Sequence, residues 1–593
     1  MALKSLILTL LCGLLVAMSV LAMRPRYEGA RAGMADENYI SSKTCISCHD
    51  DHYASWARTH HSRMTQDARP GSVQGDFERE NSYDYLGVRA RMTRSGGAFL
   101  MTLAMPDGST RQYKIDRTVG SRRIEQYLAR QGDRYVRLPL AYDLVNRRWM
   151  SLNGSFFRPD SENYFQHLAE WDSNCVFCHN VKAQPKFDFA SRAFKSETEV
   201  AELGIACGAC HGAAASHAQA ALSPFTRTLW RMSGSRPTQI VNPSKLDSDR
   251  AMMVCGHCHG QRVPEPLDRI EEILSRGDPF NAGEDLFRYY KPVTSETTLR
   301  SVRNNRPFEM SFANRFWANG SPRLTAYELQ GVLRSKCFTG GEPGNRISCI
   351  TCHTMHGGDP KGQITEENRT NRPCLACHKE FEPPDRLEAH TKHKADSVGS
   401  NCYTCHMPRV VFGVMSIHPT HDITVPDPRL TATQSVPNAC NQCHLDKSVN
   451  WAINESKRLW PRWYAALQPV EDPAYDIAEG PRSLFSGDAL ARALAAEAMG
   501  GGGPMKIDPQ WAGPYLTEAL ADNYPIVRFF AANGLARGPW LIAKPDYLAP
   551  PAARQQMLYQ WRAAFSHQAR ENAVKLGEWL RSRRLDVDIE VGE

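Results

Sequence analysis

Eight times the chain repeats one arrangement, two cysteines three positions apart with a histidine directly after the second. The copies are CISCH at Cys45, CVFCH at Cys175, CGACH at Cys207, CGHCH at Cys255, CITCH at Cys349, CLACH at Cys374, CYTCH at Cys402 and CNQCH at Cys440. Their thiols are Cys45 and Cys48, Cys175 and Cys178, Cys207 and Cys210, Cys255 and Cys258, Cys349 and Cys352, Cys374 and Cys377, Cys402 and Cys405, and Cys440 and Cys443. Only Cys12 and Cys337 of the eighteen cysteines fall outside the pattern. A thiol pair at this spacing bonds the two vinyl groups of a haem, while the adjacent imidazole meets the iron from one face. A zinc ribbon needs four ligands from paired half-motifs and no histidine after every second cysteine. A thioredoxin-like redox pair would occur once, beside a βαβ pattern. The repetition excludes both and implies covalent haem c, eight groups with their irons.

The proximal ligands are then His49, His179, His211, His259, His353, His378, His406 and His444. Each such iron has a sixth position, which a second imidazole closes to give an electron carrier and which an open site offers to a substrate. Twenty histidines less eight leaves twelve, enough to close every centre. His217, in CHGAAASH, and His356, in CHTMH, sit where a short loop carries an imidazole to a neighbouring haem, and His61 is similar. His393 and His421 flank the Cys402 motif, and His390 and His167 complete the candidate set. His52 and His257 lie within or beside a motif, where packing is the simpler role; His60 and His418 have better-placed neighbours, and His567 is far from all motifs. Cys337 reads as a free thiol, with soft axial ligation as the sharper alternative.

The elements that must hold these residues are unevenly spread. Residues 1–22 read as a secretory signal, with Lys4 before an apolar run and Val20 and Ala22 before a cleavage point; an uncleaved anchor is the competing reading. Between the first two motifs, AFLMTLAMPDGSTRQYKI predicts a strand, a Pro-Asp-Gly turn and a strand, and RIEQYLARQGDRYVRLPLAYD predicts a short helix and an extended run. PLDRIEEILSRG, in the next long gap, predicts a helix. After His444 alanine and leucine rise, and SGDALARALAAEAM, WAGPYLTEALADNYPIVRFFAANGLARG and PAARQQMLYQWRAAFSHQARENAVKLGEWLRSR predict helices broken by Gly and Pro, the middle one resembling a HEAT-type hairpin.

The formal charge of +7 and the arginines between residues 89 and 148 do not argue for nucleic acid. Haem propionates take arginine partners, and eight oxidised haems of about −1 each bring the loaded protein near neutrality.

CISCH followed by Trp56 and THH, with CITCHTMHGG, CLACH, HTKHKADSVGSNCYTCHMP, PTHDITVP and PNACNQCHLD, resembles the multihaem c-type cytochromes related to hydroxylamine oxidoreductase and to the tetrahaem cytochromes of ammonia oxidation. The resemblance extends over about 41–451 and includes exported proteins with HEAT or TPR helices behind the cytochrome region. It implies packed haem pairs, mostly bis-histidine, with His61, His217, His356, His393 and His421 as distal ligands. The lysine that marks the active haem of related nitrite reductases has no counterpart here, since no CxxCK occurs. No single tyrosine stands out for the cross-link of hydroxylamine oxidoreductases.

The expected fold is a mostly α and irregular multihaem cytochrome domain over 41–450, with a small inserted β region over 75–160, followed by an all-α HEAT-like helical domain over 451–593. The expected function is electron transfer outside the cytoplasm, periplasmic or extracellular, with redox partner proteins as donor and acceptor. The C-terminal helices are candidates for docking or assembly, a membrane is involved only if the first segment stays uncleaved, and nucleic acid is not a partner. The alternative is an oxidoreductase acting on a small nitrogen or sulfur compound at one open haem.

Overall fold

A computed structural model describes residues 38–587 except 79–80, 162, 235–239, 304–305, 325–326, 414, 503–507 and 585. The N-terminal apolar run with Cys12, read above as a signal, lies outside the described residues. Among the described residues no helix is long and apolar enough to cross a membrane.

Nine strands follow the first motif: β1 Thr65–Asp67, β2 Asn81–Tyr85, β3 Val88–Ser95, β4 Ala98–Ala104, β5 Thr110–Lys114, β6 Arg117–Val119, β7 Ile124–Gln131, β8 Arg134–Asp143 and β9 Arg148–Ser151. They form two antiparallel sheets, β2-β3-β4-β5 and β1-β6-β7-β8-β9. Alternate residues of β3 and β4 point inward, Val88, Ala90 and Met92 with Phe99, Met101 and Leu103, because successive strand side chains face opposite sides. They pack on Phe77 and on Tyr127, Leu138, Leu140 and Trp149 of the larger sheet, closing a small sandwich. The expected hairpin is present, β4 pairing with β5 around Gly108, whose φ of 82° suits glycine.

The short helix expected at RIEQYLAR is instead strand β7. Gly132 and Asp133 form a two-residue turn with φ 65° at Gly132, and β7 then pairs with β8 from Gln131 and Arg134 back to Ile124 and Asp143. Every residue from Ile124 to Ala129 is buried, so the alternation that marks a one-sided strand is missing, and pairing along the full length overrides the helix-favouring Glu, Leu and Ala. Leu128 and Tyr135 pack on Trp171 and Val176, and the Tyr135 amide donates to Asp172 at 2.6 Å. The larger sheet thereby backs the second motif.

From 176 to 445 the described helices are short, the longest being Pro224–Ser233 with ten residues. The helix expected at PLDRIEEILSRG is Arg269–Arg276. The C-terminal helices Glu479–Ser486, Ala489–Glu497, Pro509–Ala519, Pro525–Ala536, Pro551–Arg562 and His567–Arg581 follow the Gly and Pro breaks of the sequence. They share one core with the rest of the chain: Leu490, Leu494, Ile526 and Phe530 join Ile124, Met150, Phe156 and Phe157 from the β region and Val411 and Leu445 from the motif region. Arg528 clamps Asp160 with 3.0 and 3.1 Å bonds, Arg323 pairs with Asp488 at 2.5 Å, and Arg409 pairs with Glu497.

Candidate haem sites

Six of the motifs sit on single helical turns, while the first passes from a 3-10 turn ending at Cys45 into a helix kinked at His49 and the second from a π turn ending at Cys175 into the helix Val176–His179. Cys207–His211 and Cys402–His406 are short helices, and elsewhere the histidine amide donates to the first cysteine carbonyl, His259 to Cys255, His353 to Cys349, His378 to Cys374 and His444 to Cys440, all at 2.9 Å. Positions i, i+3 and i+4 of a helix lie on one stripe, so this turn turns both thiols and the imidazole to the same side.

Two imidazoles that share one metal, at about 2.0 Å per bond, stand with ring centres roughly 6 Å apart. Six pairs of histidines, each with one from a motif, stand between 6.1 and 6.4 Å: His49 and His217 at 6.4 Å, His211 and His356 at 6.3 Å, His259 and His61 at 6.1 Å, His353 and His421 at 6.2 Å, His406 and His390 at 6.1 Å, and His444 and His393 at 6.3 Å; His52 stands 5.9 Å from His49 and His418 5.8 Å from His421. Backbone carbonyls hold several rings through Nδ1–H: His211 donates to Val241 at 2.7 Å, His353 to Gly362 at 2.8 Å, His406 to Thr424 at 2.8 Å and His393 to Thr391 at 2.7 Å. That bond fixes the tautomer and leaves the Nε2 lone pair for a metal. Burial pushes His61 and His421 down to about 4, which keeps both rings neutral at ordinary pH.

His179 and His378 have no second imidazole against them among the described residues. His179 is half-buried, whereas His378 is exposed with its ring beside Phe381. The ring of His167, a distal candidate from the sequence, packs on Phe156 at 4.7 Å with its buried Nε2 carrying no hydrogen bond, and its carbonyl accepts from the Arg137 guanidinium at 2.7 and 3.0 Å, which ties this turn to β8. The other histidines have local roles. His52 stacks on His356 at 4.3 Å, His257 bonds Asp278 at 2.7 Å, His60 meets Ser121 at 3.3 Å, His418 donates to the Pro419 carbonyl at 2.6 Å, and His567 is exposed near Glu571. The carbonyls of Val241, Gly362 and Thr424 had no signal in the sequence, because every residue carries one. Gln363, 3.2 Å from His61 Nδ1, and Trp230, stacked on His217, were equally unmarked.

Thiols from different motifs also meet. Cys45 lies against Cys207, Cys178 against Cys258, Cys255 against Cys349 and Cys374 against Cys402. Cys210 neighbours Cys255 and Cys258, Cys352 neighbours Cys374, and Cys405 neighbours Cys440 and Cys443. The motifs therefore run in the order first, third, fourth, fifth, sixth, seventh and eighth, with the second branching from the fourth. Cys337 lies by Cys374 and Cys377, its thiol pushed up by burial. A connected cavity of about 2100 Å³ is lined by thiols of every motif from the second to the eighth. The Nε atoms of Arg123 and Arg262, which line this cavity, are buried and carry no hydrogen bond, which suits haem carboxylates. Donor set, cavity and cationic rim all fit haem.

The family of the doubled CXXCH motif matches residues 342–383, and the family of cytochrome c554 and c-prime matches residues 44–85, where Cys45, Cys48, His49 and His61 lie. This is a multihaem c-type cytochrome. Its haems attach covalently through the CXXCH motifs. The cytochrome is also similar to the crystal structure of an outer cell wall cytochrome, OcwA, at 14% identity over 92% of this chain and 100% of that one, with a TM-score of 0.45. No curated protein matches the chain.

Proposed function

We propose that the cytochrome transfers electrons outside the cytoplasm along eight covalent haems, six held between two imidazoles and two, at His179 and His378, held by one. The observation that carries this reading is the run of six imidazole separations between 6.1 and 6.4 Å, joined by thiol contacts into an unbroken order. Bound haem supplies reversible one-electron chemistry whose potential follows ligation, burial and nearby hydrogen bonds. The chain's own residues set those terms. Nδ1–H bonds to Val241, Gly362, Thr424 and Thr391 aim their rings and raise ligand basicity. His49 and His444 stand at the two ends of the row, where redox partners exchange electrons, and His179 stands on a spur.

The lone imidazoles of His179 and His378 favour a second reading, an oxidoreductase acting on a small nitrogen or sulfur compound at one of these two positions. The test of the main reading is the intact mass of the mature protein under denaturing conditions. Eight haem additions are expected; four or fewer, or a bare chain that still folds, would overturn it.

A further inference from the structure

The helix Pro224–Ser233 turns an apolar face outward. Phe225, Leu229 and Met232, successive along one side, are 77%, 51% and 83% exposed, and among the described residues no other helix exposes three large apolar side chains. The helix is well bounded: Ser223 caps the Thr226 amide at 3.2 Å, Pro224 opens the first turn, and Gly234 ends it in the left-handed region. Another side carries Trp230, which lies parallel to His217 at 5.8 Å, and His217 faces His49, itself exposed. One indole and one imidazole thus connect this helix to the first centre of the row.

The segment that carries it is basic. From Leu203 to Leu246 the sequence holds no aspartate or glutamate, while Arg227, Arg231 and Lys245 are cationic; the nearest carboxylates to the His49 end in sequence are Asp50 and Asp51. An apolar patch on a basic segment complements a partner whose own apolar contact is ringed by carboxylates, and it opposes a second copy, which would bring the same charge.

We propose that this face docks an acidic redox protein at the His49 and His217 end of the row. The proposal rests on the reading above, that a haem sits between these imidazoles. A patch of this size fits the small, transient interfaces of electron-transfer encounters.

The test uses the full haem-loaded protein and the triple variant Phe225→Ser, Leu229→Ser, Met232→Ser. The probe is a reduced, strongly acidic monohaem cytochrome c, with a strongly basic one for contrast. Binding is read by interferometry and electron delivery by stopped flow, in which the probe iron is oxidised by one electron and one iron of this chain is reduced by one. The acidic probe is expected to bind and react about tenfold faster than the basic one at low salt, to lose that lead as salt screens the charge, and to weaken about tenfold in the variant. Reduction by dithionite and the haem absorbance should not change. Equal rates for wild type and variant, or for the two probes, would overturn the proposal. Loss of haem absorbance in the variant would show the face covering cofactor, and a dimer abolished by the variant would make a second copy the occupant; either outcome overturns it. Failure of the functional reading is separate, because it would appear as missing haem in the unaltered protein.

Discussion

A ring whose Nδ1–H is committed to a carbonyl presents one lone pair, at Nε2, in one direction. His353 is held this way by Gly362, and His421 completes its pair from a buried position whose cost of charging keeps the imidazole neutral. His421→Ala is expected to convert one low-spin centre to high-spin and leave the other five pairs untouched, which magnetic circular dichroism reads directly. Asp278 shows the opposite effect of surroundings. Burial alone would raise its carboxyl, but His257 at 2.7 Å and Arg262 at 3.6 Å more than offset this and hold it below the usual range. Because the folded value is depressed, its stabilisation is complete above the ordinary carboxylate value of about 4 and is lost as pH falls through the folded value. Asp278→Asn is expected to cost about 3 kcal/mol at pH 7, since it leaves the buried Arg262 guanidinium without its carboxylate. Thermal melts should show that difference narrowing below about pH 4.

Secondary elements reveal where sequence pattern works and where it fails. The C-terminal helices were legible from Gly and Pro breaks and from apolar spacing, and the Ala98–Lys114 hairpin from its Pro-Asp-Gly turn. Strand β7 was not, because both its faces are buried and its alternation is erased. The proximal histidines were legible because the motif binds them to adjacent thiols. The imidazoles set against them come from remote loops, so His217, His356, His393 and His421 were reachable only through resemblance and proximity to a motif. The shared core also changes what the tail does. Ile526 and Phe530 lie in one cluster with Met150, Phe156 and Phe157, so removing 452–593 strips one side of the β region. Such a truncation is expected to lose the folded sandwich and most bound haem, read by circular dichroism and haem absorbance; a soluble, fully loaded fragment would show the two parts to be independent. Met101→Ala, in the separate core of the sandwich, is expected to cost about 2–5 kcal/mol in a denaturation curve.

Contacts among the motif thiols tie seven motifs into a row with the second as a spur, and imidazoles beside one motif face the histidine of a motif two places along the row: His356, just after the fifth motif, faces His211 of the third, and His61, after the first, faces His259 of the fourth. Interlocking of this kind makes the centres interdependent for folding as well as for function. The most direct test is electron paramagnetic resonance of the fully oxidised protein, with spins counted per chain. Six low-spin and two high-spin irons are expected. Eight low-spin irons would contradict the assignment of single imidazoles at His179 and His378, and fewer than six would break the row itself.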